Sequence, residues 1–133
     1  MERGFFEVKT FKDLVSGRGT QKLITVTPDQ SVLEAIDLMK KYDIENIPVF
    51  KGDENVGAIS AQGLFDKILN DADSKNHKIG TVMEKAYPSV AFDMPVERLS
   101  SFITKETGAV LSRDESGMHH IVTRHDIIQS LSK

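Results

Sequence analysis

A chain of 133 residues, 39% hydrophobic and 28% charged, has room for one domain or two small ones sharing a core. Its formal net charge of −3 and the lack of any dense basic run argue against a nucleic-acid surface. With no cysteine, disulfides, thiolate metal sites and cysteine nucleophiles are excluded.

No apolar run reaches the length of a membrane-spanning helix, and the start Met1-Glu2-Arg3-Gly4-Phe5-Phe6 lacks the apolar centre of a signal peptide. A cytoplasmic address with no membrane partner is expected. Residues 1–10 carry Phe5, Phe6 and Val8 among charges, a lead-in that suits packing on another part of a longer protein.

Phe11 to Val15 reads as a short helical turn, ended by Ser16-Gly17-Arg18-Gly19. Leu23 to Thr27 is β-branched and predicts a strand. Ser31 and Glu34 form a capping-box pattern that opens a helix, and Val32, Ala35, Ile36 and Met39 supply its apolar stripe, with Leu38 beside it. Ile47-Pro48-Val49-Phe50 is a short apolar strand, placed by Pro48 at an edge or a strand start. Lys51 to Asn55 turns the chain, and Val56 to Ser60 returns antiparallel. Leu64, Phe65, Ile68 and Leu69 mark a second amphipathic helix, and the polar run Asn70 to Lys78 reads as a linker.

The same grammar then recurs. Ile79 to Met83 stands where Phe11 to Val15 stood, and Pro88 to Ala91 echoes the first strand. Pro95 sits at a first helical turn, followed by the stripe Val96, Leu99 and Ile103, with Phe102 beside it. Ala109 to Leu111, the turn Arg113 to Gly117 and the return Met118 to Val122 form a hairpin. A final helix from Thr123 carries Ile127, Ile128 and Leu131. Ala35 matches Leu99, Val49 matches Val110 and Ser60 matches Thr123, at spacings of 64, 61 and 63 residues. Neither copy alone buries both faces of a small sheet, so the two are expected to pack sheet to sheet about a pseudo-twofold axis.

The last strand-to-helix junction carries the most chemistry. Thr123 and Asp126 stand three residues apart, on one face of a first helical turn. Two readings stay open and are compatible. One is a capping box. The other is a ligand site, in which the carboxylate accepts from a sugar diol beside the helix N–H groups.

Elsewhere the residues argue against chemistry. His119, His120 and His125 cluster nearby, but strand neighbours face opposite sides, so no metal is assigned. Arg113 and Arg124 suit a phosphate, a carboxylate or plain solvent. Asp71 to Ser74 lacks the calcium-loop pattern. No nucleophile–base pair or nucleophile elbow is visible, so the chain is not read as an enzyme.

This ordered repeat resembles the tandem CBS-domain pair, or Bateman module. The family's helix-start motif is Gly, two apolar residues, Thr or Ser, two variable residues and Asp. Here it reads Gly57-Ala58-Ile59-Ser60-Ala61-Gln62-Gly63 and His120-Ile121-Val122-Thr123-Arg124-His125-Asp126. The resemblance covers residues 11–132. It implies an α+β fold of two pseudo-symmetric motifs, each a small three-stranded sheet with two packed helices. The expected division is 1–10 lead-in, 11–72 first motif and 73–133 second motif.

A narrower resemblance, carried by Ile24-Thr25-Val26, Tyr42 to Phe50 and the lead-in Glu2 to Val8, is to the C-terminal regulatory region of cystathionine β-synthase-type enzymes. These are pyridoxal-phosphate enzymes of sulfur amino-acid metabolism. The resemblance implies a non-catalytic module that controls such an enzyme or a cysteine-synthase-type relative. Pyridoxal phosphate is expected only in the absent catalytic domain, and this chain itself takes no cofactor. The effector implied is an adenosyl compound, S-adenosylmethionine or AMP, ADP or ATP, held between the motifs. Thr123 and Asp126 would hold the ribose, with Val122 and His125 beside them, and Ile44, Asn46, Ile47 and Pro48 would border the adenine.

Homodimerisation through the helices is implied as well. The alternative is a dimerisation module with no physiological ligand. Gly63 stands where the first ribose-binding Asp belongs. A lost hydrogen bond to a charged group costs roughly 1.5–3 kcal/mol, about tenfold to a hundredfold in affinity. One competent site, or a strong and a weak one, is expected. His120, at the second motif's Gly position, would crowd the ligand or meet its polar end.

Overall fold

A computed structural model describes residues 9–16 and 23–131; Phe5, Phe6, Val8 and the turn after Ser16 lie outside the described residues. The chain forms two compact units. One runs Ile24–Tyr87, and the other combines Met1–Leu23 with Pro88–Lys133.

In the 24–87 unit the first long helix, α2 (Val32–Tyr42), starts as expected. Ser31 Oγ accepts from Glu34 N–H at 3.2 Å, and Glu34 Oε1 accepts from Ser31 N–H at 3.0 Å. The bond from Ser31 N–H, followed by one from the Gln30 side-chain amide, holds the Glu34 carboxyl below its usual range. The helix stops at Asp43, whose left-handed φ of 53° lets its N–H bond Met39 O. Val32 and Ala35 are buried from this helix, with Ile36, Leu38 and Met39 packed against them. Strands β1 (Asn46–Lys51) and β2 (Glu54–Ser60) form an antiparallel pair. Helix α3 (Ala61–Asn70) follows directly.

The expected first strand is reduced to one parallel bridge, Val26 to Val49, with Val26 N–H donating to Pro48 O and Phe50 N–H to Val26 O. The stretch read as a linker holds a 3-10 turn (Ala72–Asn76), started by Asp71 Oδ1 accepting from Asp73 N–H and burying Ser74. Helix α4 (Ile79–Val82) then inserts Ile79, fully buried, into this unit's core.

The other unit has helix α1 (Phe11–Ser16), helix α5 (Val96–Leu99), strands β3 (Ala109–Arg113) and β4 (His119–Thr123), and helix α6 (Arg124–Leu131). Phe11, Val15, Val96, Leu99, Val110, Val122 and Ile127 form its core. Thus α1, which precedes the first sequence copy, packs with the second, whereas α4, which precedes the second copy, packs with the first. The repeat is legible along the sequence, but the compact units exchange its leading turns.

Helix α5 is shorter than its apolar stripe predicts. Pro95 is its N-cap rather than a helical residue, and Ser100 and Ser101 hydroxyls donate back to Glu97 O and Arg98 O at 2.7 Å. Such local bonds offer the backbone an alternative to helix. Ile103 packs on the core from the turn beyond, and Phe102 stays partly exposed. The expected strand at Pro88 to Ala91 is again one parallel bridge, Ser89 to Leu111.

Ser112 faces His120 across the β3–β4 pair, and its Oγ is buried with no hydrogen-bond partner among the described residues. An unpaired buried hydroxyl costs about 1–3 kcal/mol. Ser112→Ala is therefore expected to leave stability unchanged or raise it by up to about 1 kcal/mol in urea unfolding. A clear destabilisation would mean the hydroxyl is bonded after all.

Candidate functional site

The Thr123–Asp126 junction is built by β4 running without a break into α6. Arg124 N–H donates to Gly108 O at 3.0 Å, which fixes the bend. Asp126 Oδ2 accepts from Thr123 N–H at 2.8 Å and from Thr123 Oγ1 at 3.1 Å, while Thr123 Oγ1 accepts from Asp126 N–H at 3.3 Å. This is the full capping box. It also holds a hydroxyl and a carboxylate together, both half-buried, at a helix N-terminus.

Of the neighbours, Val122 is fully buried in the core and His125 is exposed on the first turn. Arg124 turns away, and its guanidinium donates to Thr104 O at 2.6 Å.

The first-motif residues lie in the other unit. Ile44 is half-buried and packs on that unit's core. Asn46 is half-buried, and its Oδ1 accepts from the Tyr87 hydroxyl at 3.2 Å. Ile47 and Pro48 are both fully buried. Their side chains belong to the packing of β1, which leaves Ile44 and Asn46 as the partly open members of this set.

The corresponding junction in the 24–87 unit is Ser60, where β2 passes into α3. Ala61 N–H donates to Glu45 O at 2.9 Å, as Arg124 N–H does to Gly108 O. Ser60 Oγ accepts from Gly63 N–H at 3.0 Å and donates to Glu84 Oε2 at 2.9 Å. Sequence reading missed Glu84 altogether. It arrives on the chain after α4, which bonds the free edge of β2: Ala58 N–H donates to Glu84 O at 3.0 Å, and Glu84 N–H to Ala58 O at 2.7 Å.

Gly57 permits that approach. A Cβ there would lie 2.9 Å from Met83 Cγ and 3.1 Å from Glu84 O. Asn55 anchors the same segment, accepting from Tyr87 N–H at 3.1 Å while its amide donates to Val49 O and Gly57 O across the β-bulge. Burial, and then the Glu84 charge, push the Tyr87 hydroxyl well above its usual range, so it stays a neutral donor to Asn46.

His120, at the second motif's Gly position, is held within its own unit. Its Nε2 lies 2.8 Å from Asp114 Oδ2, and its ring tilts on Phe92 with centroids 5.5 Å apart. The His120 bond, followed by those from the Ser116 hydroxyl and the Met118 and Ser116 N–H groups, holds the Asp114 carboxyl far below its usual range. Among the described residues no group of three His, Asp or Glu side chains is arranged to hold a metal, and no helix is long and apolar enough to cross a membrane.

The chain belongs to the CBS domain family, whose sequence profile matches residues 12–70 and again 79–133. Among curated proteins no relative matches it. Among solved structures, the CBS-domain-containing protein ATU1752 from Agrobacterium tumefaciens is 19% identical, with a TM-score of 0.82 over 97% of this chain and 99% of that one. A putative signal-transduction protein with CBS domains from Burkholderia ambifaria is 19% identical, with a TM-score of 0.81 over 92% of this chain and 93% of that one. The CBS domain pair of protein MJ0100, in complex with 5-methylthioadenosine and S-adenosyl-L-methionine, is 22% identical, with a TM-score of 0.76 over 95% of this chain and 98% of that one. At these identities the likeness is one of fold.

The depressed Asp114 carboxyl carries a pH signature. Its contribution to stability is complete above the ordinary value of 3.8 and is lost as pH falls below it toward the folded-state value. Thermal melts of Asp114→Asn are expected to fall below wild type at pH 7, with the gap closing below about pH 4. A gap that does not change with pH would contradict the assignment.

Proposed function

We propose that this CBS pair is a non-catalytic regulatory module that binds an adenosyl compound through the Thr123–Asp126 junction. The observation that carries this reading is the hydroxyl–carboxylate pair held at the N-terminus of α6, where a ribose diol can donate to Asp126 and polar atoms can meet the helix start. Ile44 and Asn46, the partly open members of the first-motif set, are the residues proposed to border the adenine. Ile47 and Pro48, whose side chains are buried, position strand β1, which presents Asn46. Val122 anchors the junction from the core, and His125 flanks it on the exposed side.

S-adenosylmethionine leads the candidates, with AMP, ADP and ATP behind it. Support comes from the adenosyl ligands of the structurally similar MJ0100 pair. Regulation requires the ligand to bind two states of the module with different affinity. The narrower proposal, control of a cystathionine β-synthase-type enzyme, rests on the resemblance of Ile24-Thr25-Val26 and the Tyr42 to Phe50 segment to that enzyme's regulatory region.

A second reading, a dimerisation module without a ligand, is favoured by one observation. Phe65 and Leu69 on α3 are 59% and 69% exposed, and Ile128 and Leu131 on α6 are 58% and 72% exposed. Paired apolar residues at helical spacing suit a second copy of the chain.

Calorimetric titration with S-adenosylmethionine, AMP and ATP separates the readings. At least one of them is expected to bind, and Asp126→Ala is expected to weaken the tightest-bound equivalent by about tenfold or more, the loss of one charge-assisted contact. A dimer by light scattering with no heat from any of the three would favour the second reading. Binding unchanged in Asp126→Ala would refute the site.

A further inference from the structure

Gly63 removes the first motif's carboxylate from the sequence, but the fold supplies another. A Cβ built on Gly63 would overlap Glu84 Oε2 and lie 2.9 Å from the Glu84 carboxyl carbon. The Glu84 carboxylate therefore fills the space from which a residue-63 side chain would project. It accepts a hydrogen bond from the Ser60 hydroxyl at 2.9 Å, as Asp126 accepts from the Thr123 hydroxyl at 3.1 Å. Ser60 in turn caps Gly63 N–H at 3.0 Å, as Thr123 caps Asp126 N–H at 3.3 Å. The two motifs hold the same arrangement of helix N–H, hydroxyl and carboxylate. In one the carboxylate comes from three residues on, in the other from 24 residues on across the edge of β2.

We infer that Glu84 is the diol-accepting carboxylate of the first motif, so that this chain carries two ribose-recognising junctions rather than one. Glu84 is half-buried and no charge partner competes for it among the described residues. One of its oxygens is fastened by Ser60; a carboxylate accepts at both oxygens, so the other retains capacity for a ligand hydroxyl. Its backbone is bonded in both directions to Ala58, and Asn55 holds the chain three residues on. The carboxylate is thus held by the sheet edge rather than by an exposed loop. Glycine at 63 is then a requirement, because any side chain there would expel Glu84.

The inference rests on the adenosyl reading proposed above, and a stoichiometric experiment separates the two. Wild type, Glu84→Gln, Asp126→Asn and the double variant are titrated calorimetrically with S-adenosylmethionine, AMP and ATP. Glutamine keeps an acceptor for Ser60, and thermal melts check that each variant folds. The expected result is two equivalents of at least one compound per wild-type chain. Each single variant should weaken one of them tenfold or more, and the double variant should weaken both. An arm that needs no substitution uses the 2′-deoxy form of the bound compound on wild type, where both equivalents should weaken.

If wild type binds a single equivalent that Asp126→Asn removes, or if Glu84→Gln binds as wild type does, the Glu84 assignment is overturned while the adenosyl reading stands. If wild type binds none of the three, both are overturned.

Discussion

A hydroxyl at the point where a strand becomes a helix has two demands on it in this protein. It must accept from an N–H in the first helical turn, which has no partner within the helix, and its own O–H must donate to an acceptor. The Thr123 hydroxyl donates to Asp126, and the Ser60 hydroxyl donates to Glu84. Each bond brings a carboxylate to the positive end of a helix dipole, where negative charge is favoured. In the proposed reading, stability and recognition draw on the same atoms. The capping bonds that start α3 and α6 fix these carboxylates, so the proposed ligand would meet acceptors whose side chains need little further ordering on binding.

The route by which Glu84 reaches Ser60 lies wholly within the 24–87 unit. Helix α4 buries Ile79 in the core of the 24–87 unit, so the chain that follows it runs along β2. Gly57 leaves room for Met83 and the Glu84 carbonyl, and Gly63 leaves room for the Glu84 carboxylate. Both glycines are explained by the same incoming segment. Neither has a positive φ, so close approach rather than backbone freedom is the reason for their small size.

Local features were well announced by the sequence. The Ser31–Glu34 box, the stripe of α2, both hairpins and the Thr123–Asp126 pair all involve residues a few positions apart, where spacing alone fixes geometry. The family motif marked Ser60 as the counterpart of Thr123, and the family itself was recognisable from the ordered repeat. What the sequence hid was long-range. Nothing local to Glu84 sets it apart from any other acidic residue, because its partner lies 24 positions away. The exchange of α1 and α4 between units was hidden for the same reason. The shortening of α5 was hidden because two serines with good helical neighbours chose backbone carbonyls instead. The site residues Ile47 and Pro48 were correctly read as apolar strand, but only the structure shows that their side chains are fully buried.

Both strand-to-helix junctions are proposed to face a ligand and not merely to cap helices. The most direct measurement is the amide chemical-shift map of the isotope-labelled chain during titration with S-adenosylmethionine and AMP. The largest changes are expected on Ser60, Gly63 and Glu84 and on Thr123 and Asp126. Saturable shifts that leave these five amides unmoved, or no shifts with either compound, would contradict the proposal.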